Sequence, residues 1–208
     1  MRIYQLIFLI SFGICFLSCL YHFFRTLFLT RPREYAKARG KVLPAVVYSF
    51  TGAMSPAHKE TAYLHLPTYV SGLVYHLGTF LSLILVFLFV FGFYPFKVWL
   101  VLFSAFLAVS FLAGLFILVK RIVKRGLRLL SNPDDYISNV LVTLLHGFVF
   151  VTLVWHPFVP VLLVWTSLLM FYIPLGKLKH MVYFFTSRIY LARFYGKRGV
   201  WPLENTEG

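Results

Sequence analysis

An all-α integral membrane bundle of about five transmembrane helices is the fold this sequence predicts, on three observations. Apolar and aromatic residues make up 60% of the 208 residues and charged residues only 12%, about half the charged share of a soluble domain. Apolar runs long enough to cross a ~30 Å hydrocarbon core recur along the chain. No long polar stretch separates them in which a soluble domain could fold, so residues 1–208 read as a single membrane domain.

The spans follow from the runs and their punctuation. The first covers about 3–24 and leads into a basic segment from Arg25 to Lys59. The second, about 67–93, opens at Pro67, a residue suited to a first helical turn, and closes at Gly92 and Tyr94-Pro95, a tight reversal. The third, about 98–119, ends in Lys120, Arg121, Lys124, Arg125 and Arg128. Ser131-Asn132-Pro133-Asp134-Asp135 reads as a turn into a helix, with acids well placed in the first turn. The fourth span then covers about 136–155, His156-Pro157 and Pro160 mark a second reversal, and the fifth span covers about 161–178. A basic tail with Arg188, Arg193, Lys197 and Arg198 completes the chain.

The net charge of +14 invites a nucleic-acid reading, but the placement of the charge argues against one. With five spans, the first long loop, the loop between spans three and four and the tail share one side, and they hold 18 of the 20 basic residues. Only Arg2 and Lys97 face the other side. Loops rich in Lys and Arg stay cytoplasmic, which places the N-terminus outside and the C-terminus in the cytoplasm. All six acids lie on the basic side and none within a span. Ion-coupled transporters usually bury carboxylates in the membrane, so that class loses ground.

Two cysteines, Cys15 and Cys19, stand one helical turn apart in the first run. They are too few for an iron–sulfur cluster or a structural zinc site of the usual kind, and they suit packing on one helix face. The first run is too long for a signal peptide and lacks a cleavage pattern after it.

Ionisable side chains at membrane depth are functional candidates by default, and here they are histidines. At ~1.5 Å per residue, His76 in the second span and His146 in the fourth each lie roughly 15 Å from the basic side. His65 precedes His76 by three turns, so both can share one helix face, and His180 lies just past the inner end of the fifth span. The four form two levels about 16 Å apart, which suits two haems stacked in the bilayer, each held by two neutral imidazoles. The bland reading is that His76 and His146 hydrogen-bond to backbone or to each other between helices. His22 and His156 sit at span ends, where a polar ring is unremarkable. His58 lies in a loop with Lys59 and Glu60, as a surface residue or part of a quinone pocket.

The segment Phe171-Tyr172-Ile173-Pro174-Leu175-Gly176-Lys177-Leu178-Lys179-His180 resembles the end of the last span in the gamma subunit of respiratory nitrate reductase. That family shows an apolar run, a proline, a basic residue and then a haem-ligating histidine three residues on, the spacing of Lys177 and His180. The second span, with His65 and His76, looks alike, as does the basic tail; similar membrane subunits occur in heterodisulfide-reductase-like complexes. The resemblance implies a b-type cytochrome in a prokaryotic cytoplasmic membrane, with haem b ligated by His65, His76, His146 and His180, and Lys177 or Lys179 facing haem propionates. It would carry electrons between membrane quinone and a cytoplasmic iron–sulfur partner subunit, as part of an oxidoreductase complex. One departure is that 160–169 of the last span holds no histidine, so His146 is substituted on depth alone. The competing class is a non-redox membrane scaffold or small permease subunit. The 24 Phe and 13 Tyr fit any multispan bundle and do not discriminate.

Overall fold

A computed structural model describes residues 2–29, 37–55 and 65–202. Among them the chain is helical throughout: α1 (Ile3–Leu29), α2 (Val42–Phe50), α3 (Leu66–Val90), α4 (Lys97–Val123), α5 (Arg125–Leu129), α6 (Pro133–Val154), α7 (Val159–Leu175) and α8 (His180–Lys197). Five segments are long and apolar enough to cross a membrane: Ile3–Phe28, Leu66–Val90, Lys97–Val123, Pro133–Val154 and His156–Leu175. The chain is therefore an integral membrane protein. Only 17% of the most apolar stretch of α4 is buried against protein, against 50% for the last span. The outward side chains, such as Phe80 and Ile84 on α3 and Leu112 on α4, take lipid as their solvent.

The helix ends explain where the expected spans shift. Asn132 caps α6: its Oδ1 accepts from the Asp135 amide at 3.0 Å, and Asp135 Oδ2 accepts from the Asn132 amide at 3.0 Å. This reciprocal cap, with Pro133 in the first turn, starts the fourth helix at Pro133. Pro160 likewise sits in the first turn of α7 and does not interrupt it, so the fifth span runs His156–Leu175. α3 closes at Gly92, whose φ of 78° is left-handed. The Phe93 amide reaches back to the Leu88 carbonyl at 2.9 Å and the Gly92 amide to Phe89 at 3.1 Å, the paired bonds that end many helices at glycine.

The chain divides into two compact units. The first comprises 1–16 and 66–178, and in it α3, α4, α6 and α7 surround a core of Leu85, Leu107, Leu145, Val149, Leu162 and Leu163, all fully buried. The Trp165 indole donates to the Leu141 carbonyl at 3.2 Å, tying α7 to α6. The first half of α1 stacks Phe8 and Phe12 edge-on against Phe87, centroids 5.5 and 4.7 Å away. Glycines let backbones approach, the usual device where lipid removes the hydrophobic drive between helices. A methyl group added at Gly114 would stand 2.6 Å from the Tyr75 ring and run into Thr143. Gly114→Val is expected to cost about 1–3 kcal/mol by overpacking. A thermal melt in detergent, read by a thiol-reactive dye at buried Cys15, would show it as a lower midpoint.

The second unit comprises 17–65 and 179–208, and in it α2 and α8 run antiparallel. Ala45 faces Gly196, the Ser49 hydroxyl donates to the Arg188 carbonyl at 3.1 Å, and the Arg39 amide donates to Lys197 O at 2.7 Å. Phe50 packs on Phe184 and Phe185, and Tyr48 on Trp201.

Candidate functional site

His146 is the most deeply placed ionisable side chain, with no exposed surface. On α6 it follows Asp135, Asn139 and Thr143, each close to one turn apart, so the four share one face. That face meets α3 and α4. The His146 Nδ1 lies 3.1 Å from the Ser110 hydroxyl of α4, and Nε2 lies 3.1 Å from the Thr79 hydroxyl of α3. Both hydroxyls also have a carbonyl to donate to, Ser110 to Val74 O at 3.2 Å and Thr79 to Tyr75 O at 2.8 Å. The Tyr75 ring packs edge-on against the imidazole, centroids 5.0 Å apart. Its hydroxyl donates to Asn139 O at 3.0 Å and lies 3.2 Å from the Thr143 hydroxyl. Ser110 reaches this position because α3 presents Gly78 there, where a methyl group would overlap the Ser110 side chain.

The upper histidine pair is not brought together. His76 is exposed, and its Nδ1 sits 2.7 Å from Gly72 O on its own helix. Depth along a helix matched His76 to His146, but one residue turns the side chain by about 100°, and Tyr75 fills the seam instead. A haem between these rings does not fit the described structure. Both His146 nitrogens are within hydrogen-bond distance of hydroxyls, and Gly78 brings the Ser110 side chain of α4 against α3 beside the ring.

The lower pair differs. His65 and His180, at the start of α8, belong to the same compact unit and are both exposed. Two imidazoles are of the donor type that could hold a haem iron. Lys177 does not stand open for a propionate: its ammonium is ion-paired with the Asp135 carboxylate. Asp135 also meets Arg121 at 3.4 Å, and its side chain is only 4% exposed. Beside it, the Tyr172 hydroxyl donates to the Asp134 carboxylate. This knot of α4, α6 and the segment after α7 was not foreseen, because its acid and lysine lie far apart in sequence.

The remaining candidates scatter. His156 is exposed and stacks on Tyr94, centroids 4.0 Å apart. Burial, and then the neighbouring Tyr4, push the Tyr94 hydroxyl above its usual pKa. Around Tyr94 the α3–α4 turn forms an open aromatic groove of about 390 Å³ with Phe93, Phe96, Trp99 and Phe103 among its walls. The His22 Nδ1 lies 3.5 Å from the Tyr183 hydroxyl. His58, Lys59 and Glu60, read as surface residues or part of a quinone pocket, fall outside the described residues. Among the described residues no group of three or more His, Cys, Asp or Glu is poised for a metal ion.

Fold and site together define a helical integral membrane protein with a hydroxyl-bound histidine in the core of one unit and the exposed His65 and His180 in the other. Comparison with known protein families, with curated proteins and with solved structures finds no match to this chain.

Proposed function

We propose that this chain is the membrane subunit of a quinone-linked oxidoreductase, a b-type cytochrome holding one haem between His65 and His180. It passes electrons between membrane quinone and an iron–sulfur partner on the cytoplasmic side. The observation that carries the reading is the pair of exposed histidines in one compact unit. The resemblance of the Pro174-to-His180 segment to a haem-ligating span end supports it, as do the five spans.

The haem would supply reversible one-electron chemistry at its iron. The chain's contribution would be to hold the group through the His65 and His180 imidazoles. Lysines and arginines are dense on the same side, and a cytoplasmic placement of that side follows the positive-inside rule. Their charge would steer an acidic partner to the haem edge. The upper level expected from the sequence is left out, since His76 is exposed and bonded to its own helix whereas His146 is buried between Thr79 and Ser110.

A second reading, a non-redox scaffold, is favoured by one observation. His146 is satisfied by Ser110 and Thr79 as an interhelical tie, a role complete without any cofactor. Adding a short-chain quinol to the purified chain separates the two. The cytochrome reading predicts that a sharp b-type band appears on quinol addition and is lost on reoxidation. A scaffold stays colourless under both quinol and dithionite.

A further inference from the structure

We infer that His146 is a proton-binding site in the middle of the membrane bundle, loaded from the basic end along the polar face of α6. The geometry of the ring is the first argument. Ser110 and Thr79 each keep a backbone carbonyl within donating distance while lying 3.1 Å from a ring nitrogen, so each can donate to its carbonyl and accept from the ring. An imidazolium, with two N–H donors, is matched by two such acceptors. A neutral ring, with one donor and one acceptor, is matched when one hydroxyl rotates from its carbonyl to the ring. Both protonation states are therefore satisfied at the cost of a single hydroxyl rotation, which an apolar pocket could not offer.

The approach is the second argument. Asp135, Asn139, Thr143 and His146 form a continuous buried stripe on α6, from 9% exposed to fully buried. The Thr143 hydroxyl lies 3.4 Å from Asn139 Oδ1 and 3.2 Å from the Tyr75 hydroxyl. Past His146 the same face continues as Val149 and Leu153, so the stripe has one polar mouth. One turn beyond Gly78 on α3, the fully buried Ser82 hydroxyl has no partner among the described residues. A buried hydroxyl of this kind is a place where internal water would bind.

Among the described residues the other ionisable ring at that depth is His76, which is exposed and bonded to Gly72 O on its own helix. The Tyr75 ring packs on the imidazole. α4 contributes Ser110, and α7 (Val159–Leu175) carries no charged residue. Asp135, Arg121 and Lys177 stand at the mouth, roughly 16 Å along α6. Uptake moves one proton from bulk water to the imidazole and moves no electron.

The test is hydrogen–deuterium exchange at the histidine Cε1, read by mass spectrometry on the full chain in lipid nanodiscs across a pH series. That exchange requires an imidazolium that hydroxide can reach, so it reports protonation and access together. His146 is expected to exchange with a sigmoidal pH profile. Tyr75→Phe, which keeps the ring but removes the hydroxyl, and Asn139→Leu/Thr143→Val are each expected to slow it roughly tenfold, the equivalent of one pKa unit. His156 and His180 should not change. Should the double variant fail to fold, Tyr75→Phe decides alone. No exchange at His146 once His156 is fully exchanged, or exchange indifferent to Tyr75→Phe, would overturn the inference. The visible spectrum of the same sample reads haem separately, so a colourless chain would remove the cytochrome reading without touching this test.

Discussion

Asp135→Ala is expected to lower the stability of the bundle by about 2–4 kcal/mol, the largest single loss among its polar residues. The carboxylate does two jobs. Its Oδ2 accepts from the Asn132 amide and closes the reciprocal cap of α6, and Oδ1 receives Lys177 and Arg121. Losing a cap alone costs about 1 kcal/mol. Removing one partner of a buried ion pair costs about 3–5 kcal/mol, but the Lys177 and Arg121 side chains are 49% and 29% exposed, so they can rehydrate and the loss falls below that range. Asp135→Asn keeps an acceptor for the cap and loses only the charge. Unfolding midpoints in detergent should therefore rank wild type above Asp135→Asn, and Asp135→Asn above Asp135→Ala. Equal midpoints for all three would show that the knot contributes little.

His180→Ala is expected to strip haem from the purified chain, whereas His76→Ala should leave haem content at the wild-type level. The contrast follows from side-chain direction. His180 opens α8 in the same unit as His65, and both are exposed. His76 sits among lipid-facing residues, with Nδ1 held by Gly72 O. His146→Gln should also retain haem while weakening the α3–α4–α6 seam, because its ring nitrogens serve Thr79 and Ser110. Haem lost equally from the His76 and His180 variants would mean that the second span reorients around a cofactor.

Hydropathy made the spans legible, since length and apolarity alone decide whether a helix can cross a bilayer. Boundaries slipped where local chemistry outweighed hydropathy: the cap at Asn132 drew the fourth helix back to Pro133, and Pro160 extended the fifth at its start. Depth was legible for His76 and His146 because rise per residue is constant. Azimuth was not, because Tyr75 and His76 are neighbours in sequence and only packing decides which faces the seam. The Asn139, Thr143 and His146 spacing is visible on α6, but Thr79 and Ser110 carry no charge and lie on other helices, so nothing local in the sequence ties their hydroxyls to His146. The pairing of Lys177 with Asp135, and of α2 with α8, depends on long-range packing that a single sequence does not encode in any local pattern.

The most direct measurement of the central claim is haem per chain, from a dithionite-reduced minus oxidised spectrum and a pyridine haemochrome assay on protein purified from its native membrane in mild detergent. The account predicts a single b-type haem per chain. Two haems would contradict the exclusion of the His76 and His146 level, and a folded, unstripped, colourless chain would contradict the cytochrome reading altogether.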